Sequence, residues 1–154
     1  MSDTRTTGFW IIMIVGMLFL VGLVLGQTMS FVDYDFVVSI GLQESKDMVG
    51  DMGVAINKGF AVGDTIIYIP LLVLGLTGLW LRRTWGVFAM VGVFAITAYW
   101  PIVCIFFVLF AKSTPGFNFT DFTCYGTMLP LIALYALWGL WYLYTHRDML
   151  ANED

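Results

Sequence analysis

A chain of 154 residues that is 60% hydrophobic, 17% aromatic and only 12% charged, with a mean hydropathy of +0.87, does not have the composition of a soluble domain, in which about a quarter of residues carry charge. A formal net charge of −4 and a pI near 4.6 argue against nucleic acid as a partner, because its readers are basic. The two cysteines, Cys104 and Cys124, form neither a CxxC nor a metal-ligand spacing, so free thiols are expected and no metal or other cofactor.

Met1 to Thr7 is a short polar head carrying Arg5. The apolar run that follows, about 8–29, is long enough to cross hydrocarbon. Its Gly22 and Gly26 form a GxxxG pair of the kind that lets helices approach closely. A secretory signal is the rival reading, since Val24-Leu25-Gly26 is small enough for cleavage; the run is read as a retained helix.

In the segment from Ser30 to Val62, the residues Val38, Leu42, Ser45, Val49, Met52 and Ile56 recur at intervals of three and four. Glu44, Asp47, Asp51 and Lys58 fall nearly opposite them. An amphipathic outer helix between the first two spans is therefore predicted, with Gly50 and Gly53 as weak points. Its polar side is mainly acidic, whereas helices that lie on membranes are usually rich in Lys and Arg, so it is expected to cap the bundle mouth.

The second span is predicted at about 62–81, entering with Asp64, bending at Pro70 and ending on Arg82-Arg83. A carboxylate at the edge of hydrocarbon is a candidate functional residue by default. At the start of a helix it would also interact well with the free amides and the dipole, and both roles stay open for Asp64. The third span, about 85–111, contains Tyr99-Trp100-Pro101, and a loop marked by Pro115-Gly116 runs to Cys124. The fourth, about 125–144, has Pro130 near its start and is followed by His146-Arg147. The whole chain, 1–154, thus reads as one all-α, polytopic, four-span domain.

With four crossings, Arg5, Arg82, Arg83 and Arg147 share one side, and Lys46, Lys58 and Lys112 share the other. The lysines are diluted by Asp33, Asp35, Glu44, Asp47, Asp51 and Asp121. The arginines beside helix ends mark the cytoplasmic face, which places both termini there. Asn118-Phe119-Thr120 would then be an outward-facing glycosylation sequon.

Pro70, Pro101 and Pro130 map to the middle or outer half of the bundle, the half that holds Asp64. Each frees a carbonyl, which membrane helices tolerate where a neighbour or water satisfies it. Tyr68, Tyr99, Trp100 and Tyr135 lie at similar depth. An aromatic cavity rimmed by Asp64, with Asp33 or Asp35, is expected there; for the last two the solvated loop carboxylate is the favoured reading. No catalytic set is present: the one histidine, His146, sits at a predicted helix end, and there is no HExxH, no Ser/His/Asp arrangement and no phosphate-binding glycine loop.

Two stretches, Asp64-Thr65-Ile66-Ile67-Tyr68-Ile69-Pro70 and Thr97-Ala98-Tyr99-Trp100-Pro101-Ile102, together with Val32-Asp33 and Lys46-Asp47, give the chain a resemblance. It is similar to the EXPERA-type membrane proteins, which include emopamil-binding protein and the sigma-2 receptor. The resemblance covers roughly Ser30 to Ile102. It implies a four-helix fold with an intramembrane pocket for sterol-like or cationic amphiphilic ligands, with Asp33 and Asp64 at the positions of that pocket's acidic residues. The isomerases of that family use an intramembrane histidine, which the predicted spans here lack. A non-catalytic binder of a lipid-like or sterol-like molecule, with Asp33, Asp35, Asp64, Tyr68, Tyr99 and Trp100 as site residues, is the leading expectation. The alternative is an accessory subunit of a larger membrane complex or a homo-oligomer.

Overall fold

The computed structural model describes residues 5–118 and 122–150. The fold is all-helical, 87% helix with no strand among the described residues. Helix α1 (Thr7–Val32) starts at Thr6, whose hydroxyl accepts the Phe9 N–H at 3.4 Å. Asp33 ends it, and its carboxylate caps the short α2 (Tyr34–Ser39) by accepting the Phe36 N–H at 3.0 Å. Helix α3 (Lys46–Trp80), α4 (Thr84–Ala111) and α5 (Phe122–Leu150) complete the chain. Four of these helices, all but α2, are long and apolar enough to cross a membrane.

The region between the first two spans differs from its expectation. The chain does not form one amphipathic helix from Val38 to Ile56: it breaks after α2, where Gly41 takes φ +75°, and restarts at Lys46. From there α3 carries on across a kink at Gly50; beyond the kink, residues 51–80 are 30 residues (80 − 51 + 1), about 45 Å long at 1.5 Å per residue. That exceeds the thickness of hydrocarbon, about 30 Å, so the expected outer helix is continuous with the second candidate span. Gly50 interrupts it locally with φ +69° and ψ 177°, an extended, left-handed geometry available to glycine alone at low cost. There the end of α3 meets the loop between α4 and α5: Asn118 donates through its N–H to the Met48 carbonyl (2.7 Å) and through Nδ2 to the Asp47 carbonyl (3.1 Å). Phe119 and Thr120 of the sequon lie outside the described residues. At the other end of the chain α5 starts earlier than expected, so Cys124 belongs to a helix, and it continues through His146 to Leu150.

The bundle is packed unevenly along its length. The half that holds the α3–α4 turn is dense, with Phe9, Ile12, Leu72, Leu76, Leu79, Met90, Phe94 and Leu143 buried together. Here the backbones of α3 and α4 touch at Gly78 and Gly86, where a Cβ on either would overlap the other. Arg5 lies over the Trp80 ring at 4.0 Å and Thr6 hydrogen-bonds Tyr142, tying α1 to both α3 and α5. The glycines of the expected GxxxG pair make no such approach: Gly22 has open space around it, and Gly26 meets only Leu42 at 3.8 Å.

Candidate functional site

Beyond the stacked rings of Phe19 and Tyr135 (6.2 Å between centroids), the helices separate around a chamber of about 550 Å³. Side chains of α1, α3, α4 and α5 form its wall, including Gln27, Asp64, Tyr68, Thr97, Trp100 and Met128. Ligand pockets in proteins commonly hold 300–1,000 Å³ behind largely apolar walls with a few placed polar groups, and this chamber has that character.

Three of its polar side chains, Gln27, Asp64 and Tyr68, are presented by two π-helical turns, Val24–Thr28 in α1 and Asp64–Tyr68 in α3. A π turn inserts an extra residue and recurs at functional sites. In α3 the cause is legible in the chain. Pro70 has no N–H to give, and the helix widens just before it so that the Ile69 N–H reaches the Asp64 carbonyl. The two wide turns face each other and are joined by Thr28 Oγ1 and Thr65 Oγ1 at 3.0 Å. Thr65 gives its own hydrogen to the Ala61 carbonyl (2.8 Å), so Thr28 is the donor in the bridge.

The position of Asp64 corrects the alternative that it caps a helix start. It lies deep inside α3, where no free amides exist, and only 9% of its surface is exposed. Nor does Tyr68 serve it. Thr97 donates to the Val93 carbonyl at 2.7 Å, so in the 2.5 Å contact between Tyr68 and Thr97 it is the phenol that donates. The Tyr68 hydrogen is therefore committed away from Asp64, and no described residue donates a hydrogen bond to that carboxylate. Asp64, Gln27 Oε1 and the Tyr68 oxygen leave the chamber rich in acceptors.

A second cavity of about 330 Å³ lies under the 40–45 segment and shares Gln27, Leu42 and Trp100 with the first. Glu44 latches this segment down. Its carboxylate accepts from the Tyr125 hydroxyl and from Asn57 Nδ2 (3.2 Å), while its carbonyl accepts from Tyr34 at 2.9 Å. Burial pushes the Tyr34 phenol above its ordinary 10.0; the Asn57 hydrogen bond opposes this and the Glu44 charge adds to it. Helical periodicity placed Glu44 on a solvated face. The break before Lys46 takes it out of that register and turns it inward.

Of the site residues expected from sequence, Asp64, Tyr68 and Trp100 meet at the chamber wall, and Trp100 borders both cavities. Asp33 is exposed and occupied in capping α2, Asp35 is exposed in the first turn of that helix, and Tyr99 is 66% exposed on the outside of α4. A step of one residue turns a helix by about 100°, so Tyr99 and Trp100 diverge. Gln27, Glu44, Asn57, Thr97 and Tyr125 were not anticipated; the signal for Gln27 was a lone amide within an apolar run. His146, although inside α5, stacks on Tyr142 (4.3 Å) and contacts the Tyr142 carbonyl and Thr145. It lies 14 residues from Ile132 on the chamber wall (146 − 132), or about 21 Å along the helix. Among the described residues no group of three or more His, Cys, Asp or Glu side chains is placed to hold a metal. The chain matches no protein-family model, no curated protein and no solved structure.

Proposed function

We propose that this is a small integral membrane protein that binds a cationic amphiphile in the chamber between α1, α3, α4 and α5. One observation carries the reading: Asp64, only 9% exposed, lines a chamber of ligand size, and no described residue donates a hydrogen bond to its carboxylate. Burying an unpaired charge costs several kcal/mol, and ionisable groups within spans mark functional sites by default. An ammonium group would neutralise Asp64 while its chain fills the apolar wall beside Met128 and Leu18. The resemblance to EXPERA-type proteins supports the same class of ligand.

The test is direct binding in lipid nanodiscs of three probes with one chain, n-dodecylamine, 1-dodecanol and dodecyl sulfate. Saturable binding of the amine, weaker binding of the alcohol and none of the sulfate is expected. Equal, unsaturable partition of all three overturns the proposal. Its orientation follows from the arginines, with both termini cytoplasmic. A cysteine introduced at Ser2 in a chain lacking Cys104 and Cys124 is expected to resist impermeant maleimide added outside intact cells, and labelling there reverses the topology.

A further inference from the structure

Gln27 Oε1 is a fully buried side-chain oxygen with no hydrogen-bond partner among the described residues. Such an atom is unusual, because buried polar groups are nearly always paired and leaving one unpaired is costly. It stands on a wall common to both cavities, on the π turn that faces the one bearing Asp64. Gln27 and Asp64 each precede a threonine of the 3.0 Å Thr28–Thr65 bridge, which holds the two turns in fixed register. Two acceptor-bearing side chains, one charged and one neutral, thus stand on facing turns of the chamber wall. Thr97 and Tyr68 contribute no free hydrogen to either, since each donates elsewhere.

We infer that Gln27 sets the ligand's chemical class, selecting an ammonium that carries N–H hydrogens over a quaternary one. This rests on the proposed function and adds a constraint that Asp64 alone does not impose. A carboxylate attracts either cation. An amide oxygen is satisfied only by a donor, and a primary ammonium has three. Quaternary ammonium is recognised by aromatic cages; Phe19, Tyr68 and Trp100 line this chamber, but a quaternary head would leave the Gln27 oxygen unpaired beside them. A site built to hydrogen-bond a ligand rejects the analogue that lacks the hydrogens far more strongly than one built on shape.

The experiment compares n-dodecylamine with n-dodecyltrimethylammonium on the full chain in nanodiscs, for wild type, Gln27→Leu, Gln27→Glu and Asp64→Asn. Wild type is expected to prefer the primary amine by about tenfold to a hundredfold, the range for a hydrogen bond to a charged group. Gln27→Leu should remove the preference by weakening the amine alone. Gln27→Glu retains the acceptor and should retain the preference, so it decides the matter if the leucine variant does not fold. Asp64→Asn should weaken both ligands. Equal binding of the two cations by wild type, or an undiminished preference in Gln27→Leu, overturns the inference while leaving the proposed function standing, and means that Gln27 holds only water. A preference lost in Gln27→Glu likewise overturns it. If neither cation binds wild type, the proposed function itself falls.

Discussion

Asp64→Asn lowers affinity for n-dodecylamine by on the order of 2–5 kcal/mol, the range for truncating one partner of a buried charge pair, or roughly thirtyfold to a few thousandfold. The size of the effect follows from the surroundings. Coulomb attraction grows where water is scarce, and no described side chain competes with the ligand for this carboxylate. The melting temperature should move little, or upward. Asn keeps the shape, and removing an unpaired buried charge relieves a desolvation cost. Affinity and melting curves for both proteins, measured in the same nanodiscs, check this. Unchanged affinity would remove Asp64 from the site. A melt that collapses together with affinity would make the residue structural.

Gly78→Leu has the opposite signature, a large loss of stability with no direct contact to the chamber. A Cβ at Gly78 would overlap the Gly86 backbone and lie 2.7 Å from Trp85 Cζ3 and 2.8 Å from the Gly86 nitrogen. Two of these neighbours are main chain, which yields far less readily than a flexible side chain. Overpacking costs of about 3 kcal/mol, the upper part of the usual range, are expected, and α3 and α4 would have to separate. Gly22→Ala is the matched control. Nothing lies within 4 Å of its added methyl, and alanine is favoured over glycine in a helix by up to about 1 kcal/mol. A Gly78→Leu melt within a degree of wild type would show that the two backbones are not in contact.

The number of long apolar helices was legible because apolar length is a strong signal, whereas the prolines expected to mark a cavity line neither chamber. The partition of the site residues was not legible either. The reading treated Asp33 and Asp64 as comparable acids, yet one lies at a chain break where its carboxylate finds a backbone amide, and the other in mid-helix where it finds none. Of the two glycines read as weak points, Gly50 does take positive φ while Gly53 stays helical, and the break that sets the start of α3 at Lys46 falls at Gly41, which the apolar repeat spanned. The close glycine contact was missed for a related reason: Gly78 and Gly86 lie on different helices, and a single-helix spacing rule points instead to Gly22 and Gly26. Gln27 and Glu44 depend on a π turn and a chain break, neither of which a 3.6-residue repeat can register.

The continuity of α3 gives the chamber a handle. From Asp51, just past the Gly50 break, to Asp64 the helix is unbroken over 13 residues (64 − 51), an arm about 20 Å long, and the hydrogen bonds to the loop before α5 lie across the break, at Asp47 and Met48. A displacement of that loop would meet the Gly50 break first, and only what passes it would reach the wide turn that carries Asp64.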